Sequence, residues 1–379
     1  MAGKVILAVA GAGKTYKICQ MIDMDKKNLI LAFTHENIKN IENGLIKRFK
    51  RIPNKTFVMT FHSFVYQFLL RPYEFSFFKH FHQEFAETHG VSLSKPPEPS
   101  IRCGNSYRRN PAYVPIKEIN HYLTRNGEYY CDLMSEAFMR MDKSDIKTIM
   151  SNFSLFFDCI YVDEFQDFRQ YDYDLLMEIC KTCPSVTMVG DFYQHSVSGV
   201  QNSGKPFQKR KRCIDYNEFI EDLAAQKIVI DNQSLQNSYR CSEEVCAFIR
   251  ENIDVNIGGN KERHGKIIVI ENYTNEEIKK IIYDDSIMKL VYKDASKQDF
   301  KCLNWSYSKG DTFSKTCIVL PDTMSAIVYK EKIKLTSRNR NLLYVALTRS
   351  SGDVYLLTRK RLEKILSTKQ LNSYSTFTK

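Results

Sequence analysis

The chain has 379 residues, of which 43% are hydrophobic and 26% charged, and 55 Lys+Arg against 44 Asp+Glu give a formal net charge of +11. That length supports two domains with cores of their own, and the composition excludes disordered, collagen-like and fibrous classes. No apolar run approaches the ~20 residues of a membrane-spanning helix, so no membrane partner is expected. Eleven cysteines are scattered, with C-x-x-C spacing only at Cys180 and Cys183. Without a second pair at zinc spacing, the expectation is reduced thiols in a cytoplasmic protein. The positive excess suits a polyanionic partner.

In chain order, the first element is an apolar strand, Val5 to Val9, running directly into Ala10-Gly11-Ala12-Gly13-Lys14-Thr15 and then a helical pattern. Strand, small-residue loop, Lys-Thr and helix is the arrangement of a Walker A phosphate loop, with Ala8 standing where the first glycine usually is. The backbone N–H groups of Ala10, Gly11, Ala12 and Gly13 would turn onto phosphate oxygens at the helix N-terminus. Lys14 would reach the outer phosphates and Thr15 would ligate Mg²⁺, so the cofactors expected are ATP and Mg²⁺.

Between residues 64 and 158 lies room for a compact, mainly helical insertion. It carries an aromatic cluster, Tyr73, Phe75, Phe77, Phe78 and Phe81, and then Arg102, Tyr107, Arg108, Arg109 and Tyr113. Basic residues interleaved with rings suit single-stranded nucleic acid, while a small hydrophobic core beside a solvated loop accounts for the same residues. A second buried strand, Cys159 to Val162, ends in Asp163-Glu164, a Walker B pattern. Asp163 would hold Mg²⁺, and Glu164 would orient or deprotonate the attacking water. A third apolar strand, 184–191, leads to Gln194, placed to sense the γ-phosphate at the carboxyl end of a parallel sheet. The basic run 209–212 reads either as a solvated face or as a phosphate contact.

Taken together, these blocks resemble the UvrD/Rep-type superfamily 1 helicases, in family order along nearly the whole chain. Residues 10–15 resemble motif I; Thr34, His35 and Asn37 lie in a motif Ia-like block, with Thr60, His62 and Ser63 in the block after it. Residues 162–167 resemble motif II and 189–194 motif III. Ser238-Tyr239-Arg240 resembles motif IV, Lys309-Gly310 motif V, and Asn341 to Arg349 motif VI. The resemblance implies an α/β fold of two RecA-like P-loop domains with parallel sheets and ATP between them. It places the first domain at 1–225, with the insertion at about 70–155, and the second at 226–379 with a reduced insertion. It also implies that Tyr239 stacks on adenine, that Gly310 belongs to the nucleotide site, and that Arg240 and Arg349 reach the γ-phosphate. Guanidinium groups stabilise charge on a transferring phosphoryl group, in keeping with that role. Thr34, His35, Asn37, Thr60, His62 and Ser63 would contact the nucleic-acid backbone, with His35 either stacking on a base or standing as an ordinary histidine.

The chain departs from the family at several points. The strand begins at residue 4, so an upstream adenine-reading segment is not expected, and Asp311-Thr312 replaces the usual Leu-Glu of motif V. After Gln194 the run His195 to Val200 offers no aromatic at the usual base-stacking position. The spacing of motifs IV and V leads us to expect a small second-domain insertion, and about 30 residues after motif VI lead us to expect no attached nuclease domain. The leading expectation is a DNA-stimulated ATPase moving on single-stranded or partly duplex DNA, 3′ to 5′ as in the family. The second is a UvrD-like, nucleotide-gated regulatory subunit acting with a partner protein such as a nuclease, as in Gabija-type anti-phage systems.

Overall fold

A computed structural model of the chain describes residues 3–195, 204–210, 212–329, 331 and 333–374. The segment 196–200 that follows motif III, the loop residues 201–203 and Lys211 of the basic run lie outside the described residues. The α/β class with parallel sheets is what the structure shows. One sheet has six strands: β1 (Lys4–Leu7), β2 (Asn28–Ala32), β3 (Thr56–Thr60), β4 (Cys159–Val162), β5 (Val186–Gly190) and β6 (Val229–Asp231). Their order is β6-β1-β5-β4-β2-β3, and β2 pairs in parallel with both β3 and β4, as β4 does with β5.

A parallel strand covered by helices on both faces needs apolar residues on both. All five residues of β2 and all four of β4 are buried. The crossover after β2 is the helix His35–Phe49. It starts where Thr34 Oγ1 accepts from the Asn37 N–H at 3.2 Å, buries Ile41 and Leu45, and stops where Lys50 turns left-handed at φ 64°. The Lys50 N–H donates to the Ile46 carbonyl at 2.8 Å, so both ends of this helix are satisfied.

Helical segments occupy the two ends of the insertion, within 61–80 and 131–153, and the chain between them is turns and irregular backbone with two short ladders and one helical turn, Ile119–His121. Phe77 and Phe78 are buried, and Phe77 packs its ring 5.5 Å from that of Tyr129. Phe81 lies 5.5 Å from Tyr122, whereas Phe75 is exposed. Most of the aromatic cluster is therefore a local core, which one of the two sequence readings anticipated.

The other principal sheet has five strands: β7 (Ile267–Val269), β8 (Ile287–Val291), β9 (Cys302–Asn304), β10 (Lys315–Leu320) and β11 (Val354–Thr358). Its order is β7-β11-β10-β8-β9, parallel throughout. Ile278 and Ile282 of the helix Asn275–Tyr283 pack with Ile287, Val291, Val319 and Leu357 of the strands. Thr274 and Glu277 close a reciprocal capping box at the start of that helix. Trp305 is fully buried and donates its indole N–H to the Leu290 carbonyl at 3.0 Å.

The chain divides into two compact units, one of residues 1–5, 15–189 and 220–230, the other of 6–14, 190–219 and 231–379. Trp305, the sole tryptophan, reports on the second. Truncating Ile278 to alanine is expected to cost that unit about 2–5 kcal/mol, and Thr274→Ala about 1 kcal/mol through the lost cap. Trp305 fluorescence in a urea titration measures both, and equal midpoints for the two variants and the parent chain would contradict this packing.

Candidate nucleotide and nucleic-acid site

The phosphate-loop residues 8–13 connect β1 to the helix Lys14–Met21. Gly11 and Gly13 have φ of 72° and 80°, the left-handed region where a side chain is strained. Space is also closed at Gly11: a Cβ there would stand 2.7 Å from Ser238 Oγ and 2.8 Å from Arg240 Cβ. The loop thus needs glycine for conformation and for the close approach of the motif IV strand. That approach is held by the Tyr239 N–H, which donates to the Gly11 carbonyl at 2.9 Å.

Within the second unit, the Ala10 N–H donates to the Tyr344 hydroxyl at 2.7 Å, and that hydroxyl donates to Asp191 Oδ2 at 3.1 Å. The same carboxylate oxygen accepts from Gln194 Nε2 at 2.8 Å, and Oδ1 accepts from the Tyr193 N–H at 3.0 Å. Asp191 and Tyr344 are both buried. Burial raises the Asp191 pKa above its ordinary value, opposed first by the charge of Lys14 and then by these donors. Burial likewise raises the Tyr344 hydroxyl, with the nearby Asp191 charge acting in the same direction.

Within the first unit, the Thr15 hydroxyl donates to Asp163 Oδ2 at 3.0 Å. Asp163 is buried at the end of β4, and its Oδ1 accepts from the Glu164 N–H at 2.9 Å. Glu164 itself sits left-handed at φ 52° and accepts from the side-chain amide of buried Gln166. A hydroxyl and a carboxylate oxygen in contact at the first turn of a helix form a hard-oxygen donor pair that fits Mg²⁺, which takes one or two protein oxygens and completes its shell with phosphate and water. Among the described residues no group of three or more His, Cys, Asp or Glu is placed to hold a metal ion.

The remaining nucleotide-site candidates lie in the second unit. Tyr239 is 66% exposed and so presents its ring to solvent. Arg240 donates from Nη1 to the Thr348 carbonyl at 3.0 Å. Arg349 is 2% exposed, and its Nε donates to the Val345 carbonyl at 3.0 Å. Its Nη1 lies 3.4 Å from the carbonyls of both Ser308 and Asp311. Gly310, at φ 97°, turns this motif V loop, and the Phe313 N–H donates back to the Arg349 carbonyl at 2.9 Å.

The six nucleic-acid candidates come together at the carboxyl ends of two adjacent strands, β2 and β3, where Ala32 is in register with Thr60. Thr34 and His35 are exposed there, with Asn37 half-buried. Thr60 donates to Ser63 Oγ at 2.7 Å and caps the following helical turn. His62 packs edge-on against Phe33 at 5.1 Å, with Nε2 3.9 Å from Asp172 Oδ2. Sequence reasoning gave no role to Asp191 or Tyr344. The available signal was their membership of the motif III and motif VI blocks that also supply Gln194 and Arg349.

Residues 117–358 match the family described as the viral superfamily 1 RNA helicase core domain, and residues 3–200 match an AAA domain family; each covers more than half of the chain. The chain belongs to the superfamily 1 helicases. No curated protein matches the sequence. Similar solved structures include the helicase of PRRSV, at 14% identity over 96% of this chain and 53% of that one, with a TM-score of 0.43. Arterivirus nonstructural protein 10 (helicase) in complex with DNA is also 14% identical, over 96% of this chain and 63% of that one, at a TM-score of 0.45. A DNA-free structure of the arterivirus protein has 14% identity, the same 96% coverage of this chain, 61% of the other and a TM-score of 0.44. The chain therefore spans between 53% and 63% of the length of these helicases.

Replacing Tyr344 with phenylalanine removes the acceptor of the Ala10 N–H and one donor to Asp191. The expected loss is about 1–3 kcal/mol of stability, the cost of stranding buried polar groups; an unchanged thermal midpoint would show that the hydroxyl carries no such weight. The raised Asp191 carboxyl keeps its proton in the native state at pH values where the unfolded chain has already released it. Stability associated with this group therefore falls as pH rises from the ordinary carboxylate range through the raised value. The pH dependence of unfolding should be shallower in Asp191→Asn, and an identical slope would contradict the assignment.

Proposed function

We propose that this helicase hydrolyses ATP with Mg²⁺ to move along single-stranded DNA and unwind duplex, in the UvrD/Rep manner and from 3′ to 5′. The observation that carries the reading is the contact between the Thr15 hydroxyl and the Asp163 carboxylate at 3.0 Å, immediately after a loop held open by left-handed glycines. Sequence separation of 148 residues makes that contact a tertiary one rather than a product of local chain geometry, which supports the reading.

On this reading the loop N–H groups and Lys14 bind the β- and γ-phosphates. Thr15 and Asp163 would hold Mg²⁺, which would supply positive charge against the negative charge that develops on the transferring phosphoryl group. Glu164 accepts the proton of the attacking water, and its hydrogen bond from Gln166 fixes the direction in which the carboxylate points. Gln194, held by Asp191, senses the γ-phosphate. Arg240 and Arg349 stabilise the transferring phosphoryl group after exchanging carbonyl partners for phosphate oxygens, and exposed Tyr239 stacks on the base. The polar ends of β2 and β3, from Thr34 to Asn37 and Thr60 to Ser63, position the strand by its phosphates and sugars. Support for DNA comes from the UvrD/Rep-type motifs, whereas the matched family's description names RNA.

The deciding experiment is ATP hydrolysis by the purified chain, alone and with single-stranded DNA or RNA. Glu164→Gln is expected to lower turnover about 10²–10⁴-fold, and Lys14→Ala to abolish it. Strong stimulation by DNA supports the motor reading, and stimulation by RNA alone reassigns the substrate. Hydrolysis without stimulation, or none until a second protein is added, supports the regulatory subunit instead.

A further inference from the structure

The insertion of the first unit carries a β-hairpin whose residues play no part in the nucleotide site or the strand ends described above. Ser100–Cys103 pairs antiparallel with Ser106–Arg109 across a turn at Gly104 and Asn105. Gly104 takes φ 61°, as a tight two-residue hairpin turn requires. The base of the ribbon is pinned: the Asn110 N–H donates to the Pro99 carbonyl at 3.0 Å, and Asn110 Nδ2 donates to the Glu98 carbonyl at 2.8 Å.

Register sorts its side chains into two faces, because cross-strand partners share a face and successive residues alternate. Ser100 opposes Arg109 and Arg102 opposes Tyr107 on one face; Ile101 opposes Arg108 and Cys103 opposes Ser106 on the other. The first face therefore holds two guanidinium groups around one ring, and that ring is 72% exposed. Arg102 Nε donates to the Gly104 carbonyl at 3.1 Å, which lays the side chain along the ribbon. Among the described residues no carboxylate is ion-paired with Arg102, Arg108 or Arg109. The surrounding stretch, 95–125, holds six Lys and Arg against two Glu, so the local field attracts anions.

We propose that the face bearing Arg102, Tyr107 and Arg109 binds single-stranded nucleic acid. The Tyr107 ring lies in solvent, and its flat face suits an unpaired base. Tyr107 and Arg109 are two residues apart on one strand, about 6.6 Å at strand rise, so the ribbon matches an extended nucleic-acid strand in which a stacked base and a neighbouring phosphate are both in reach. Arg102 lies directly across from Tyr107 and supplies the second phosphate contact. The inference rests on the nucleic-acid helicase reading but adds a site that its motifs do not contain.

The test is anisotropy of a fluorescently labelled oligothymidylate with the whole chain, across a salt series. Tyr107→Ala is expected to weaken binding about tenfold. The double variant Arg102→Ala/Arg109→Ala should lower the slope of log K against log salt by about 1.4, at 0.7 per phosphate contact. Arg108→Ala, on the opposite face, should leave both close to the parent values. ATP hydrolysis without nucleic acid and the thermal midpoint should be unchanged in all of them, because these side chains are exposed. Equal effects of Arg108→Ala and Arg109→Ala would overturn the proposal in favour of undirected basic charge. Parent-like binding by Tyr107→Ala and the double variant would overturn it while leaving the helicase reading intact. Failure of the parent chain to bind any single strand would overturn both.

Discussion

The phosphate loop is held in place by a buried tyrosine hydroxyl. Tyr344 accepts from the Ala10 N–H and donates to Asp191, which also accepts from Gln194. Four residues spread over more than three hundred positions of sequence thus share one continuous set of hydrogen bonds. In a low-dielectric interior such a chain is costly to break at any point, because each group left without its partner carries the full desolvation penalty. The loop, the motif III turn and the motif VI helix are therefore coupled by a polar contact as well as by packing.

That coupling has an electrostatic side. Asp191 is a carboxylate in a place that disfavours charge, and Lys14 is the cation that most opposes the effect. On the proposed reading, a phosphate at Lys14 would draw on the same cation that offsets the burial of Asp191, so the donors Tyr344, Gln194 and the Tyr193 N–H would matter more to that carboxyl.

Much of the phosphate loop was legible in sequence, because its chemistry demands particular residue types in consecutive positions. The Thr15–Asp163 pair was legible for the same reason, although the two are far apart in the chain. The Tyr344 hydroxyl was not. It lies in a helix where Leu342, Leu343, Val345, Ala346 and Leu347 are all buried, so a tyrosine there reads as one more core residue. Only the fold shows that its oxygen meets Ala10. The aromatic residues of the insertion were ambiguous for a related reason: composition cannot say which rings face inward. Phe77 and Phe78 do, on a helix packed into the insertion, while Tyr107 stands on a pinned ribbon whose strand is exposed at every position.

Arg349, proposed above for phosphate chemistry, is buried. Its Nε makes one short bond to the Val345 carbonyl on its own helix, while Nη1 shares two carbonyls at 3.4 Å, beyond the usual range for a strong N–H···O bond. The firm bond fixes the arm, and Nη2 donates to the Thr348 hydroxyl at 3.2 Å. A phosphate oxygen offers the same fork a charge-assisted bond about twice as strong as a neutral one. On the proposed reading, exchange at Nη1 with Nε retained would free the carbonyls of Ser308 and Asp311 on either side of Gly310. Gly310 is the residue in that loop whose backbone already occupies the left-handed region, so the loop can absorb such a change by rotating at the position where rotation costs least.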